Sequence, residues 1–239
     1  MGWSRGVGWI LDHVVYRTTV TGRENVPVSG PVIFAANHIS YLDGPVLFGA
    51  APRKMHILVK KEMFKGFLGF VLRASGQLPV DRTGDRGVLH LSKEILDAGR
   101  CIGILPEGTR GGGTADAINN GVAWLALNSQ AVVVPVAILG TRTGADHLDS
   151  LPRPGRRFHV YFGPAIGVGR QDGESGRVSM DRAAAEIRAA LAGTVQQAIE
   201  RSGQALPDSV PDVLPQAERT ATTTAVAGTP ADDHLRKVQ

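Results

Sequence analysis

Asn37-His38-Ile39-Ser40-Tyr41-Leu42-Asp43 follows directly on an apolar run, Val32-Ile33-Phe34-Ala35-Ala36, and leads into Pro45 to Ala51. The run is short and β-favouring, which predicts a buried strand ending at Asn37. Ser40 can cap a helix start, with Asp43 three residues on as its box partner. Pro45 is tolerable only in that first turn. A strand, a polar turn and a helix therefore succeed one another, and His38 sits in the turn. Five residues along a regular helix sweep about 500° and would part His38 from Asp43; within a turn the two can meet. An imidazole held by a carboxylate is a general base suited to neutral pH. On this stretch alone a turn histidine and a capping aspartate remain the plainer reading, so the weight falls on the rest of the chain.

Outward from the turn, strands and helices alternate. Met55 to Val59 reads as a second strand, with Lys60 and Lys61 at its end. Met63 to Arg73 is a helix with a wide apolar face, open to core, acyl-chain or membrane contact. Leu78-Pro79-Val80-Asp81-Arg82 is short and extended. Asp85 to Ala98 carries Val88, Leu91, Ile95 and Leu96 on one face and stops at Gly99. The strand Cys101 to Leu105 runs into Pro106-Glu107-Gly108-Thr109-Arg110 and a glycine-rich loop, followed by a helix around Gly121 to Asn128. Val132 to Ile138 is a strand whose Pro135 suggests a sheet edge or a bulge. Phe158 to Phe162 is the last strand, and Met180, Ala184, Ile187, Leu191 and Ala198 mark one face of a long final helix. The alternation predicts an α/β fold, a single mixed, largely parallel sheet flanked by helices.

At the start, Trp3, Val7, Ile10, Leu11, Val14 and Val15 recur at steps of three and four. This predicts an amphipathic helix over residues 1–20, packed on the domain or lying in a membrane interface. Arg17 to Val26 reads as strand and turn. The expected division is an N-terminal membrane-associating helix over 1–20, an α/β domain over 21–201 and a disordered tail over 202–239, where Pro, Thr, Ala and charged residues take over.

Composition narrows the class. At 239 residues and 43% hydrophobic, the chain can bury a sizeable core. Its one cysteine, Cys101, lies in an apolar run and reads as a buried core thiol, which suits a reducing compartment. The net charge of +4 suits an anionic membrane surface or a phosphorylated ligand. A nucleic-acid partner is not expected, since no recognised binding motif accompanies the charge and only 5% of residues are aromatic. No apolar stretch reaches the roughly 18 residues of a spanning helix, and no signal peptide is expected.

Three polar clusters fall at three strand ends: His38 with Asp43, Arg82, and Glu107 with Arg110. Ligand sites of open α/β sheets gather at such ends. Two arginines and Lys60 beside a His/Asp pair point to an anionic substrate, phosphate above all, because guanidinium groups hold phosphate bidentately.

These stretches, in this order, resemble the four motifs of the glycerolipid acyltransferases. Asn37 to Asp43 resembles the first, Pro79-Val80-Asp81-Arg82 the second, Leu105-Pro106-Glu107-Gly108-Thr109-Arg110 the third and Val133-Val134-Pro135-Val136 the fourth. The likeness spans roughly residues 16 to 165 and is greatest to the members that acylate 1-acylglycerol-3-phosphate. It implies that His38 is the general base and that Asp43 orients and polarises it. It further implies that Arg82 and Arg110 bind the acceptor phosphate; Lys60 joins them as a phosphate-binding candidate from its place at a strand end. Glu107, Gly108 and Thr109 would form the acceptor pocket, and the Pro135 strand would contribute to the acyl-donor site. The implied substrates are lysophosphatidate and an acyl thioester, carried by coenzyme A or acyl carrier protein as co-substrate. No other cofactor and no metal are implied. The expected location, read from the apolar stretches themselves, is the cytoplasmic face of the cell membrane, held peripherally by residues 1–20 and by 62–73.

The chain departs from the family after the third motif. Many members carry serine there and a basic residue further on, where this chain has Gly111-Gly112-Gly113 and Ala117 to Gly121. That bears on the acceptor, with another lysophospholipid or a glycolipid as the alternative. A hydrolase would call for an activated nucleophile, yet no Gly-X-Ser-X-Gly elbow is present. A non-catalytic lipid-binding module accounts for the amphipathic start and the basic excess and leaves His38, Asp43, Glu107 and Arg110 without a purpose.

Overall fold

The computed structural model describes residues 6, 8–81, 86–108, 112–115, 119–144 and 146–207. Arg82, Thr109 and Arg110 lie outside them, as do Trp3, Val7 and the chain from residue 208.

The first strand to consider is β2 (Val32–Ala36), following β1 (Arg17–Thr21) in the chain and buried at every position. It lies at the centre of a seven-stranded sheet. The others are β3 (Met55–Lys60), β4 (Leu78–Val80), β5 (Cys101–Ile104), β6 (Val132–Leu139) and β7 (Arg157–Phe162). Their order is β1-β7-β6-β2-β5-β3-β4. Every pairing is parallel except β6 with β7, so the sheet is mixed and mostly parallel, as expected. A parallel strand covered on both faces has no use for alternation, which is why β2 is apolar throughout.

The helices are α1 (Asp43–Ala50), α2 (Gly66–Ala74), α3 (Arg86–Asp97), α4 (Asn120–Asn128) and α5 (Gly176–Ser202). Successive strand residues point to opposite faces. Val32, Phe34 and Ala36 pack with Val46, Leu47 and Ala50 of α1. Ile33 and Ala35 pack on the other face with Leu96 of α3, Val122 and Leu125 of α4, and Ile187 of α5. The helix α1 therefore packs on this side of β2, immediately after the His38 turn, with Leu11 and Val15 of the N-terminal segment against the same cluster.

Three expectations need correction. Helical structure at the N-terminus ends at Val15, short of the 1–20 expected for the helix, while the strand read from Arg17 is β1, in register with β7 from Arg17↔Arg157. The apolar steps of three and four stop at Val15; the β-branched run Thr18-Thr19-Val20-Thr21 beyond it favours a strand. Of the two readings of Pro135, the edge fails, because β6 lies between β7 and β2, and the bulge holds. The missing N–H of the proline is tolerated where the ladder is irregular. Val136 faces Phe162 and Val133 faces Ile166, so the opposing chain spends one extra residue across this stretch. Finally, ordered packing passes Ser202: Leu206 lies against the cluster of Leu139, Tyr161 and Leu191.

Candidate active site

The parallel strands β2, β5, β3 and β4 end on one edge of the sheet, and the turn after β2 occupies its centre. Asn37 extends the β2–β6 pairing with its side chain. Its Nδ2 donates to the Ile138 carbonyl at 3.1 Å, and the Ile138 N–H donates to Oδ1 at 2.7 Å. The chain then turns about Asp43, which is fully buried. Asp43 Oδ2 accepts from the Ile39 N–H at 2.6 Å and the Ser40 N–H at 2.7 Å, and it lies 3.0 Å from His38 Nδ1. Ser40 Oγ in turn accepts from the Leu42 N–H. Of the box expected between Ser40 and Asp43, one half forms, the carboxylate accepting the Ser40 N–H, while Ser40 Oγ takes the Leu42 N–H in place of that of Asp43.

The tautomer follows from this geometry. Asp43 Oδ1 accepts from Thr141 Oγ1 at 2.6 Å, so the carboxylate acts as an acceptor on both oxygens. Its remaining contact, His38 Nδ1, is then the N–H of the imidazole, and Nε2 keeps the lone pair. The His38 side chain retains 18% of its exposure, so the ring is not sealed in the core.

Glu107 comes from the turn after β5, the strand next to β2. Its Oε1 accepts from the His38 backbone N–H at 3.0 Å. The first and third motifs therefore meet directly, with Glu107 bracing the chain under the base. Gly108 has φ +69°, and a side chain there would lie 2.4 Å from Asn119 Nδ2, so the turn favours glycine. Gly113, in the glycine run that departs from the family, folds back onto the turn at φ +75°. A side chain on it would meet Ile39 Cγ2 at 2.4 Å and Asn37 Nδ2 at 3.0 Å. The last glycine of the run is thus needed for packing.

Of the other expected residues, Lys60 ends β3 on the same edge of the sheet, two strands from β2. Pro135 is buried in the middle of β6 with its ring beside Gly163, and no hydrogen bond links it to the His38 turn. Two residues missed in the sequence belong to the site. Thr141 holds Asp43, and the buried Arg142 donates from Nε to the Ile39 carbonyl at 2.7 Å. The available signal was a Thr-Arg pair just beyond a strand end; nothing local said that this strand lies beside β2. Among the described residues no group of three or more His, Cys, Asp and Glu is placed to hold a metal.

Residues 17–139 match the sequence model of a family described as Acyltransferase. The chain is 32% identical over 127 residues to the 1-acyl-sn-glycerol-3-phosphate acyltransferase of Borreliella burgdorferi, covering 51% of each chain. It is 36% identical over 89 residues to the enzyme of the same name from Helicobacter pylori, covering 36% of this chain and 38% of that one. The chain spans about half or less of the curated relatives it matches. In fold it is similar to the crystal structure of the 1-acyl-sn-glycerophosphate acyltransferase of Thermotoga maritima. The TM-score is 0.62 at 20% identity, covering 82% of this chain and 78% of that one.

Proposed function

The chain belongs to the Acyltransferase family, whose model covers residues 17–139, and from that premise we propose that it moves a fatty acyl group from an acyl thioester to the free hydroxyl of 1-acylglycerol-3-phosphate, giving phosphatidate. The observation that carries the reading is the pairing of His38 Nδ1 with Asp43 Oδ2 at 3.0 Å, which leaves Nε2 as an acceptor at the edge of the sheet. Nε2 takes the proton of the acceptor hydroxyl as its oxygen attacks the thioester carbonyl. The tetrahedral adduct then expels the thiol, which leaves with the proton held by His38. A thiol of pKa around 8.5 leaves with little acid help, so the barrier lies in making a neutral alcohol nucleophilic. A positioned base contributes about 10²–10⁴-fold to such a step.

In this reading Arg82, Arg110 and Lys60 hold the acceptor phosphate. Gly108 and Thr109 line the acceptor pocket beside Glu107, and the Pro135 strand borders the acyl donor, which is acyl-coenzyme A or acyl carrier protein. The enzyme works as a peripheral protein at the cytoplasmic face of the membrane, where its lipid substrates reside. No helix among the described residues is long and apolar enough to cross a membrane. Exposed Trp9, Ile10 and Val14 near the N-terminus and Phe67, Leu68 and Phe70 on α2 supply apolar surface for the bilayer.

The test is thiol release from palmitoyl-coenzyme A by detergent-dispersed protein, with and without lysophosphatidate, beside His38→Ala. Release that needs the acceptor and falls by at least about 10²-fold in the variant is expected. Equal release without acceptor would make the protein a thioesterase. Release with a glycolipid but not with lysophosphatidate would move the acceptor and keep the base.

A further inference from the structure

We propose that Thr141 is a positioning residue for the acyl transfer, acting through Asp43 on the orientation of the His38 ring; the inference rests on the general-base reading above. Asp43 Oδ2 is fully used by its own turn, with His38 Nδ1, Ile39 N and Ser40 N as donors. Those three contacts place one oxygen. The torsion about the bond from Cβ to the carboxylate has broad wells, so the hold on the second oxygen also counts. The second oxygen shares in setting that rotation, and its contact is Thr141 Oγ1 at 2.6 Å, across 98 residues of sequence. Both side chains are buried, Asp43 completely and Thr141 to 1% exposure, so no bulk water replaces the hydroxyl if it is removed. A buried carboxylate oxygen without a donor is costly. Asp43 would turn to find one, and Oδ2 would leave the line to His38.

The hydroxyl is itself held in place. Thr141 stands two residues beyond the end of β6, and contacts on both sides of it tie this segment to the catalytic turn. Ile138 exchanges two hydrogen bonds with the Asn37 amide, and Arg142 Nε donates to the Ile39 carbonyl. The backbone that carries Thr141 is thus registered on the turn before the hydroxyl makes its bond, and a β-branched side chain has few rotamers in which to miss. Valine has the same shape and no donor, so packing alone does not require threonine.

The experiment measures acceptor-dependent thiol release for wild type, H38A, D43N, T141V, T141S and the double variant T141V/D43N, with the melting temperature of each. T141V is expected to lower kcat roughly 10–100-fold, the cost of a hydrogen bond to a charged group, with KM for both substrates unchanged. T141S should restore activity to within a few-fold of wild type. In the D43N background T141V should cost nothing further, because a residue that acts through Asp43 has no path once the carboxylate is gone. Full activity in T141V overturns the proposal, and so do losses of T141V and D43N that multiply. If H38A keeps its activity, it is the base assignment that fails. Should T141V not fold, T141C carries the same comparison, since its thiol is a much weaker donor; wild-type turnover in T141C would then overturn the proposal.

Discussion

At the scale of the residue, Glu107 reaches the base through the backbone of His38. Its carboxylate accepts the His38 backbone N–H, so it sets where the imidazole begins while Asp43 sets where the imidazole points. The two duties separate by substitution. E107Q keeps an acceptor for that N–H, whereas E107A leaves a half-buried donor with none. E107A is therefore expected to lower kcat about 10–100-fold, the cost of a charge-assisted bond, and E107Q distinctly less; acceptor-dependent thiol release measures both. Equal damage from the two would mean that the charge of Glu107 serves the substrate instead of the backbone.

At the scale of the element, the N-terminal helical segment is held to α1 by a contact that carries a penalty. Gly8 and Gly49 let the two backbones approach closely, and Asp12 lies in the seam, fully buried, with neither carboxylate oxygen hydrogen-bonded. Burial pushes its pKa from 3.8 up to about 8, with Arg23 pulling weakly the other way. The folded protein therefore holds a proton that the unfolded chain gives up between those values. The sign follows: the stability associated with protonated Asp12 is fully present below about pH 4 and is lost as the pH rises through about 8. The slope in that window is at most about 1.4 kcal/mol per pH unit. D12N, which cannot ionise, should flatten the fall in melting temperature between pH 5 and 8. An unchanged slope would place the pH dependence elsewhere. This element also limits truncation. Tyr16 stacks on Phe158 and donates to the Pro152 carbonyl, so a deletion meant to remove only the helix must stop before it.

At the scale of the whole molecule, one helix is inside out. On α2 the buried position is Gly69, while Phe67 is 82% and Phe70 62% exposed one turn apart. Lys61, Lys65 and Arg73 are exposed around them, and the chain carries a net charge of +4. Apolar side chains ringed by cations suit an anionic bilayer, and α2 leaves the sheet from the end of β3, the edge that carries His38. F67S/F70S should lose flotation with phosphatidylglycerol vesicles and keep turnover on detergent-dispersed substrate; flotation equal to wild type would sink this surface as the lipid contact. How much of this was legible in the sequence depends on the range of the interaction. The apolar runs fixed which segments are strands and that β2 is buried on both faces, and the spacing of His38 and Asp43 within one turn allowed them to meet. Glu107 and the glycine-rich loop could be assigned to a strand end, but not to the His38 backbone. Thr141, Arg142, the central place of Pro135 and the buried Asp12 needed the tertiary structure, because each depends on which strand or helix lies alongside. Local sequence determines the shape of a turn through its own backbone donors. Which side chain arrives from 98 residues away to complete it is decided only when β6 pairs with β2.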